Sequence, residues 1–255
     1  MDLAGRGAAR LGILFEGVRR ATIRVRVADR YGVTPVAPGA ADATMGHMDD
    51  SVTMRPLHRD DYPTVIEMMR RMWYASVGDA CARRLAAADL HHCLSRSTVA
   101  MAAERDGEVV GVILGRVAAA VSRRRPLPRC RHVLHMIRES IPLPFSAEGR
   151  RGIREALELI AVDAHLIRGI GSRYDAEIVL FLVDERVRGR GVGRMLFDRI
   201  LRTFRNVGAN RYFLFTDTTC DVGFYDHRGL TRFRERRVSR RDGADDVYYL
   251  YEGRP

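Results

Sequence analysis

The chain contains no lysine and no glutamine, and its only asparagines are Asn206 and Asn210. Arginine therefore supplies all the positive side-chain charge behind a formal net charge of +11 over 255 residues. A balance this basic invites a nucleic-acid reading. A GC-rich coding bias produces the same pattern, however, and there is no aromatic-interleaved basic stripe, helix-turn-helix or RNA-binding signature to support it. No run approaches the roughly 18–20 apolar residues that cross a bilayer. The stretch Leu11 to Phe15 is too short for a signal-peptide core of about 7–15 residues. Cys81, Cys93, Cys130 and Cys220 form no CxxC pair. Their spacing argues against a zinc knot or a disulfide scaffold and fits a reducing compartment. These absences leave a soluble cytoplasmic protein with no metal and no membrane partner.

What is present is enough apolar sequence, 46% of residues, for one large core. Residues 1–47 lack periodicity and hold a Gly/Ala/Pro-rich tract from Gly32 to Gly46. They read as a disordered or mis-started extension, with the working start at Met45 or Met48, rather than as a targeting peptide. Residues 48–255 read as the folded domain. Val52 to Leu57 forms a first strand. Asp60, Asp61 and Pro63 then signal a helix start, with carboxylates to cap free N–H groups and a proline in the first turn. Val65, Met68, Met69, Met72 and Trp73 follow on one helical face, and the methionine stripe reads as core. A second helix, about Asp79 to Leu94, carries His91-His92-Cys93. Neighbours on a helix point about 100° apart and cannot jointly ligate one ion, so these three are structural.

Val99–Ala103 and Val109–Leu114 read as a hairpin closed by Asp106-Gly107, which supplies the positive φ angles of a tight turn. A long connection of residues 118–172 follows. It opens with Arg123-Arg-Arg125, is broken by Pro126, Pro128, Pro142 and Pro144, and ends in a helix with Ile153, Leu157, Ile160, Ala164 and Ile167 as its apolar face. Glu177 to Val183 is nearly continuous in apolar residues, as befits a central strand buried on both sides. Arg211–Thr216 is another strand, Val222–His227 a short helix stopped by Gly229, and Thr231–Val238 with Val247–Glu252 a closing pair.

The chemistry concentrates after the central strand, in Val187-Arg-Gly-Arg-Gly-Val-Gly-Arg194. Glycines at 189, 191 and 193 let the backbone approach a bulky anion, and from Gly193 a helix begins whose N–H groups and dipole favour negative charge. Arg188, Arg190 and Arg194 add positive charge. The expected ligand is a pyrophosphate. A dinucleotide fingerprint would be Gly-x-Gly-x-x-Gly with an acidic residue about 20 positions on, whereas the spacing here is Gly-x-Gly-x-Gly. A Walker loop needs a lysine, and the chain has none.

What remains is Arg-x-x-Gly-x-Gly after a strand, and here the sequence resembles the GCN5-related N-acetyltransferases. Arg188, Gly191 and Gly193 match their Gln/Arg-x-x-Gly-x-Gly/Ala signature. Phe224-Tyr-Asp-His-Arg-Gly-Leu230 matches their Phe-Tyr-x-x-x-Gly-Phe element, with leucine at the last position. The resemblance runs from about Val52 to Glu252. It implies an α/β fold with a mixed, mostly antiparallel central sheet flanked by helices and a helical insert before the central strand. It also implies acetyl-CoA as co-substrate, without a metal.

Residue by residue, the resemblance implies that main-chain groups of Phe181, Leu182 and Val183 hold the pantetheine arm and the thioester. Val187 to Arg194, including Gly189 and Val192, cradle the pyrophosphate. Tyr225 protonates the departing thiolate, a transfer uphill by roughly 2 kcal/mol from ordinary phenol and thiol pKa values. Glu177 is a base or a water-holding carboxylate, or alternatively one arm of a salt bridge. Asp217 is the next base candidate. The family's asparagine after this strand is missing from Thr216-Asp-Thr-Thr-Cys-Asp221, which puts that pantetheine contact in doubt. Cys220 nearby opens a minority covalent route.

The expected activity is acetyl transfer to an amine of a small molecule or peptide by direct attack. The partners are then acetyl-CoA and an amine acceptor, and a homodimer is open. The alternatives are an inactive acyl-CoA-binding sensor and a basic nucleic-acid module. The 118–172 insert is expected to shape the acceptor site; its Arg-rich opening suits an acceptor with an acidic portion, and coding bias explains those arginines equally well.

Overall fold

The computed structural model describes residues 52–121, 126–239 and 245–255. The expectations for residues 1–47 and for Arg123-Arg-Arg125 lie outside the described residues.

β1 (Thr53–Pro56) leads through a short 3-10 turn into α1 (Tyr62–Trp73) and α2 (Asp79–Arg96). β2 (Val99–Arg105) and β3 (Glu108–Val117) form the expected hairpin. Asp106 and Gly107 both take positive φ, 52° and 79°, as the Asp-Gly pair required. The insert contains α3 (Ala118–Val121), α4 (Pro126–Ser140) and α5 (Ala147–Leu166). Then follow β4 (Ala176–Val183), α6 (Val192–Asn206), β5 (Tyr212–Asp217), α7 (Val222–His227), β6 (Thr231–Ser239) and β7 (Asp245–Gly253). No helix among the described residues is long and apolar enough to cross a membrane.

The strands form one seven-stranded sheet in the order β1-β2-β3-β4-β5-β7-β6. Every pairing in it is antiparallel except β4 with β5. α6 covers one face with Val192, Leu196, Phe197, Ile200 and Phe204, all buried. It lies close because β3 offers it glycines. A Cβ on Gly115 would stand 2.6 Å from Ile200 Cδ1, and one on Gly111 would stand 2.9 Å from Leu196 Cδ1. α1 and α2 cover the opposite face through Val65, Met68, Met69, Ala86 and Leu90. The second half of α5 joins them there, with Val162 and Leu166 packed against Phe213 and Leu250.

Three sequence expectations need correction. Asp61 does not cap α1. Its carboxylate accepts the His58 N–H at 2.7 Å and is gripped by Arg55 at 2.8 and 2.9 Å. The Arg55 hydrogen bonds hold its pKa below the usual carboxylate range. Trp73, expected on the core face of α1, is the last residue of that helix and is 37% exposed. The third correction concerns α5, which turns out the stripe expected to be buried, with Leu157 at 41% and Ile160 at 46% exposure. Its contact face is instead made by Gly149 and Gly152 at one end and by Val162 and Leu166 at the other. A Cβ on Gly149 would lie 2.1 Å from the Leu143 carbonyl oxygen, and one on Gly152 would lie 2.6 Å from Leu85 Cδ1. Backbone proximity through small residues, rather than long apolar side chains, fixes this helix.

Candidate active site

β4 and β5 share only three register pairs, Ala176–Tyr212, Glu177–Phe213 and Ile178–Leu214. Beyond Ile178 the two strands part. On its other edge β4 stays paired with β3 along its whole length, with a register shift between Leu114 and Gly115 that leaves Val179 as the extra residue. The bulge turns the strand and opens the gap. The Asp184 N–H donates to the Val110 carbonyl, so by the alternation of an antiparallel ladder Leu182 spends its main-chain groups on β3. Phe181 and Val183 present theirs to the gap. Of the three residues expected to lend main-chain groups here, two are oriented to do so. The Leu182 side chain is 2% exposed, within the core on the α1/α2 face.

The loop leaving β4 is pinned by Asp184, a residue the sequence reading passed over. Its buried carboxylate accepts the Arg186 N–H at 2.9 Å and pairs with Arg186 and Arg71. Burial pushes this carboxyl up, but the Arg186 hydrogen bonds and the two guanidinium charges prevail and hold it below the usual range. The loop then turns on Gly189 (φ 76°) and Gly191 (φ 78°), with nothing within 4 Å of where a Cβ would stand on either. Gly191 is the N-cap of α6 and brings no side-chain cap. The N–H groups of Val192, Gly193 and Arg194 open this 15-residue helix without an acceptor among the described residues. Val192 itself is buried, so only its main chain is available, whereas Arg188, Arg190 and Arg194 are exposed around the opening. Gly193 packs toward Phe181, Val183 and Phe224. The arrangement fits a pyrophosphate: unused amides, room above both glycines, and three guanidinium groups at the rim.

On the α6 face of the gap stands Tyr225, buried in α7 among Phe197, Phe224 and Tyr251. Burial, then the nearby Cys220 and Asp221, push its phenol well above the usual range. Burial also raises the Cys220 thiol, which keeps it protonated and disfavours a covalent acetyl-cysteine route. Beside both groups lies Thr216, whose buried Oγ1 makes no hydrogen bond of good geometry; the Tyr225 hydroxyl and the Cys220 thiol are among its polar neighbours. Thr216 is thus a buried hydroxyl with spare hydrogen-bonding capacity near the end of β5.

The other face of the gap is ionic. The bulge at Val179 reverses the side-chain alternation of β4, so Glu177 shares a face with Leu180 and Leu182. Glu177 is 4% exposed, and both its oxygens are engaged, by Arg96 at 2.6 Å and by Arg116 at 3.4 Å. Asp217 ends β5 and accepts the Thr219 N–H at 2.7 Å and the Thr219 hydroxyl. A third carboxylate, Asp163 of α5, lies within electrostatic reach of Arg96, Glu177 and Asp217. Sequence reasoning missed it. The available signal was an acidic side chain flanked by the apolar Val162 and Leu166 in the closing turns of a helix.

The parted sheet, met beside its parallel pair by a glycine-led helix start, gives the described residues one open cleft at the end of β4. The chain belongs to the acetyltransferase (GNAT) family, whose profile matches residues 62–230. Among curated proteins, none matches the sequence. Solved structures share the fold. An agmatine N-acetyltransferase is 13% identical with a TM-score of 0.51, covering 81% of this chain and 100% of its own. Ard1 from Thermoplasma volcanium is 21% identical with a TM-score of 0.44, covering 80% and 97%. The PaiA N-acetyltransferase from Thermoplasma acidophilum, solved in complex with coenzyme A, is 14% identical with a TM-score of 0.44, covering 80% and 99%.

Proposed function

We propose that this enzyme transfers the acetyl group of acetyl-CoA to a primary amine by direct attack. The observation that carries the reading is the start of α6, where uncapped amides face open space beyond Gly189 and Gly191 at the mouth of the β4/β5 gap. Acetyl-CoA supplies the activated acyl group. The loop amides and Arg188, Arg190 and Arg194 hold its pyrophosphate. Phe181 and Val183 lend main-chain groups to the pantetheine arm, and an N–H of this stretch stabilises the negative charge that develops on the carbonyl oxygen.

Thr216 Oγ1 takes over the pantetheine contact made elsewhere in the family by asparagine. Tyr225 gives its proton to the departing sulfur. Burial makes the phenol a weaker acid, but it equally raises the basicity of a thiolate formed in the same apolar pocket, so the mismatch does not widen. The acceptor enters from the opposite face, beside α2 and α5, where Glu177, Asp217 and Asp163 lie. The reading sets the enzyme in the cytoplasm, where its free cysteines remain reduced.

The test is calorimetry with acetyl-CoA, followed by thiol detection against amino acids, polyamines, aminoglycosides and peptides. Micromolar binding with thiol release by one amine class supports the reading. Binding without release by any amine leaves a sensor and refutes the enzyme.

A further inference from the structure

Amine acetylation needs a group that removes a proton from the acceptor nitrogen, because an ammonium has no lone pair with which to attack. Of the three carboxylates on the acceptor face, only Glu177 is held on both oxygens, with one arginine on each. Asp217 takes the Thr219 N–H and the Thr219 hydroxyl on Oδ1, which fixes it to its own exposed turn at the end of β5. Among the described residues the Asp163 carboxylate has no hydrogen-bond partner and no ion pair within contact distance. It is nonetheless half-buried, and its helix is held against the sheet by Val162 and Leu166.

Resting on the acetyl-transfer reading above, we propose that Asp163, delivered by the insert helix α5, is the general base that deprotonates the acceptor amine. It accepts one proton from the acceptor nitrogen. The C–N bond then forms as the C–S bond breaks. The sulfur takes a proton from Tyr225, and the second proton shed by the nitrogen restores the phenol. Glu177 then serves as the fixed anion that orients Arg96 and Arg116, with Arg96 screening Asp163 from its neighbours.

The charged groups around Asp163 are Arg96 of α2, Glu177 of β4 and Asp217 of β5. From β6, Arg234 donates to the carbonyls of Leu166 and Arg168 at the end of α5. Burial, and then the two carboxylates, outweigh Arg96 and push Asp163 up to about 7. A carboxylate that ionises near neutrality is matched to base catalysis at physiological pH.

The experiment measures kcat against pH with acetyl-CoA and the best acceptor of the amine panel, for wild type, Asp163→Asn and Asp163→Glu. The wild-type rate should rise as pH increases through about 7. Asp163→Asn should lose about a hundred- to ten-thousand-fold in kcat at pH 8, together with that acid limb, while its Kd for acetyl-CoA stays unchanged. Asp163→Glu should restore the limb and part of the rate. An Asp163→Asn enzyme within threefold of wild type, with the limb intact, overturns the proposal. Failure of the underlying reading looks different: the wild type itself would then neither bind acetyl-CoA nor release thiol.

Discussion

Asp163→Asn should make the protein more stable at pH 8 and much less so at pH 5. The Asp163 carboxyl goes from 3.8 in the unfolded chain to about 7 in the fold. A carboxyl whose pKa is raised on folding contributes stability that is fully present below 3.8 and is lost as pH rises through about 7. At pH 8 the native state holds an ionised, partly desolvated carboxylate. At about 1.4 kcal/mol per pH unit this costs up to roughly 4 kcal/mol. At pH 5 the native carboxyl is mostly protonated, and the same arithmetic leaves a cost of about 1.5–2 kcal/mol.

Asparagine keeps the shape and removes the charge, so the variant should gain on the order of 2–4 kcal/mol at pH 8. For a domain of this size that is a rise in Tm of roughly 5–10 °C, with a clearly smaller rise at pH 5. Differential scanning calorimetry or fluorimetry of both proteins at the two pH values reads it directly. A variant with unchanged or lower Tm at pH 8 would mean that the Asp163 charge is stabilised in the fold, and the reasoning fails. Gained stability with lost turnover is the trade expected of a charge kept for chemistry.

Three further outcomes follow from the geometry. Gly191→Glu should weaken acetyl-CoA binding at least hundredfold in calorimetry, since a carboxylate about 4 Å from a phosphate charge costs on the order of 4 kcal/mol at an effective dielectric of 20. Gly191→Ala serves as control for the backbone cost, roughly 1–2 kcal/mol at φ 78°, and an unchanged Kd in the glutamate variant removes the pyrophosphate assignment. Tyr225→Phe should lower kcat and kcat/KM together by about ten- to a thousand-fold with little effect on the Kd for acetyl-CoA, because the hydroxyl acts only as charge builds on sulfur; wild-type turnover with chemistry rate-limiting would make it a packing residue. Gly149→Ala should lower Tm although alanine is the better helix former, because its Cβ meets the Leu143 carbonyl oxygen at 2.1 Å and overpacking of this kind costs about 1–3 kcal/mol. A higher Tm would mean that α5 does not touch that turn.

The parts of the proposed cofactor site could be read before any coordinates because each of them is local. The hairpin turn needs only Asp106-Gly107, and the turn proposed to hold a pyrophosphate needs only glycines, arginines and a helix start in consecutive residues. The α6 stripe of Leu196, Phe197, Ile200 and Phe204 declares its buried face at helical spacing. Periodicity failed on α5, where Leu157 and Ile160 gave the right pattern for a buried face and the helix buried its glycines instead. A glycine carries no hydrophobic signal, and close backbone approach is visible only when the partner, Leu143 or Leu85, is in place.

The sequence by itself determined most of the elements, their succession along the chain, and the glycine-arginine turn before α6, because φ preferences, apolar period and helix-end chemistry act over a few residues. The strand order in the sheet and the insert helix α4 came only with the fold. Tertiary structure decided which face each side chain serves. The bulge at Val179 turns Glu177 to the acceptor side, where Arg96 and Arg116 take both its oxygens. The packing of α5 against Phe213 and Leu250 brings Asp163 to within electrostatic reach of Glu177 and Asp217. Burial and charge are properties of neighbours far apart in the chain, so the raised pKa of Asp163, on which the proposed acceptor chemistry rests, exists only once α2, α5, β4 and β5 have packed together.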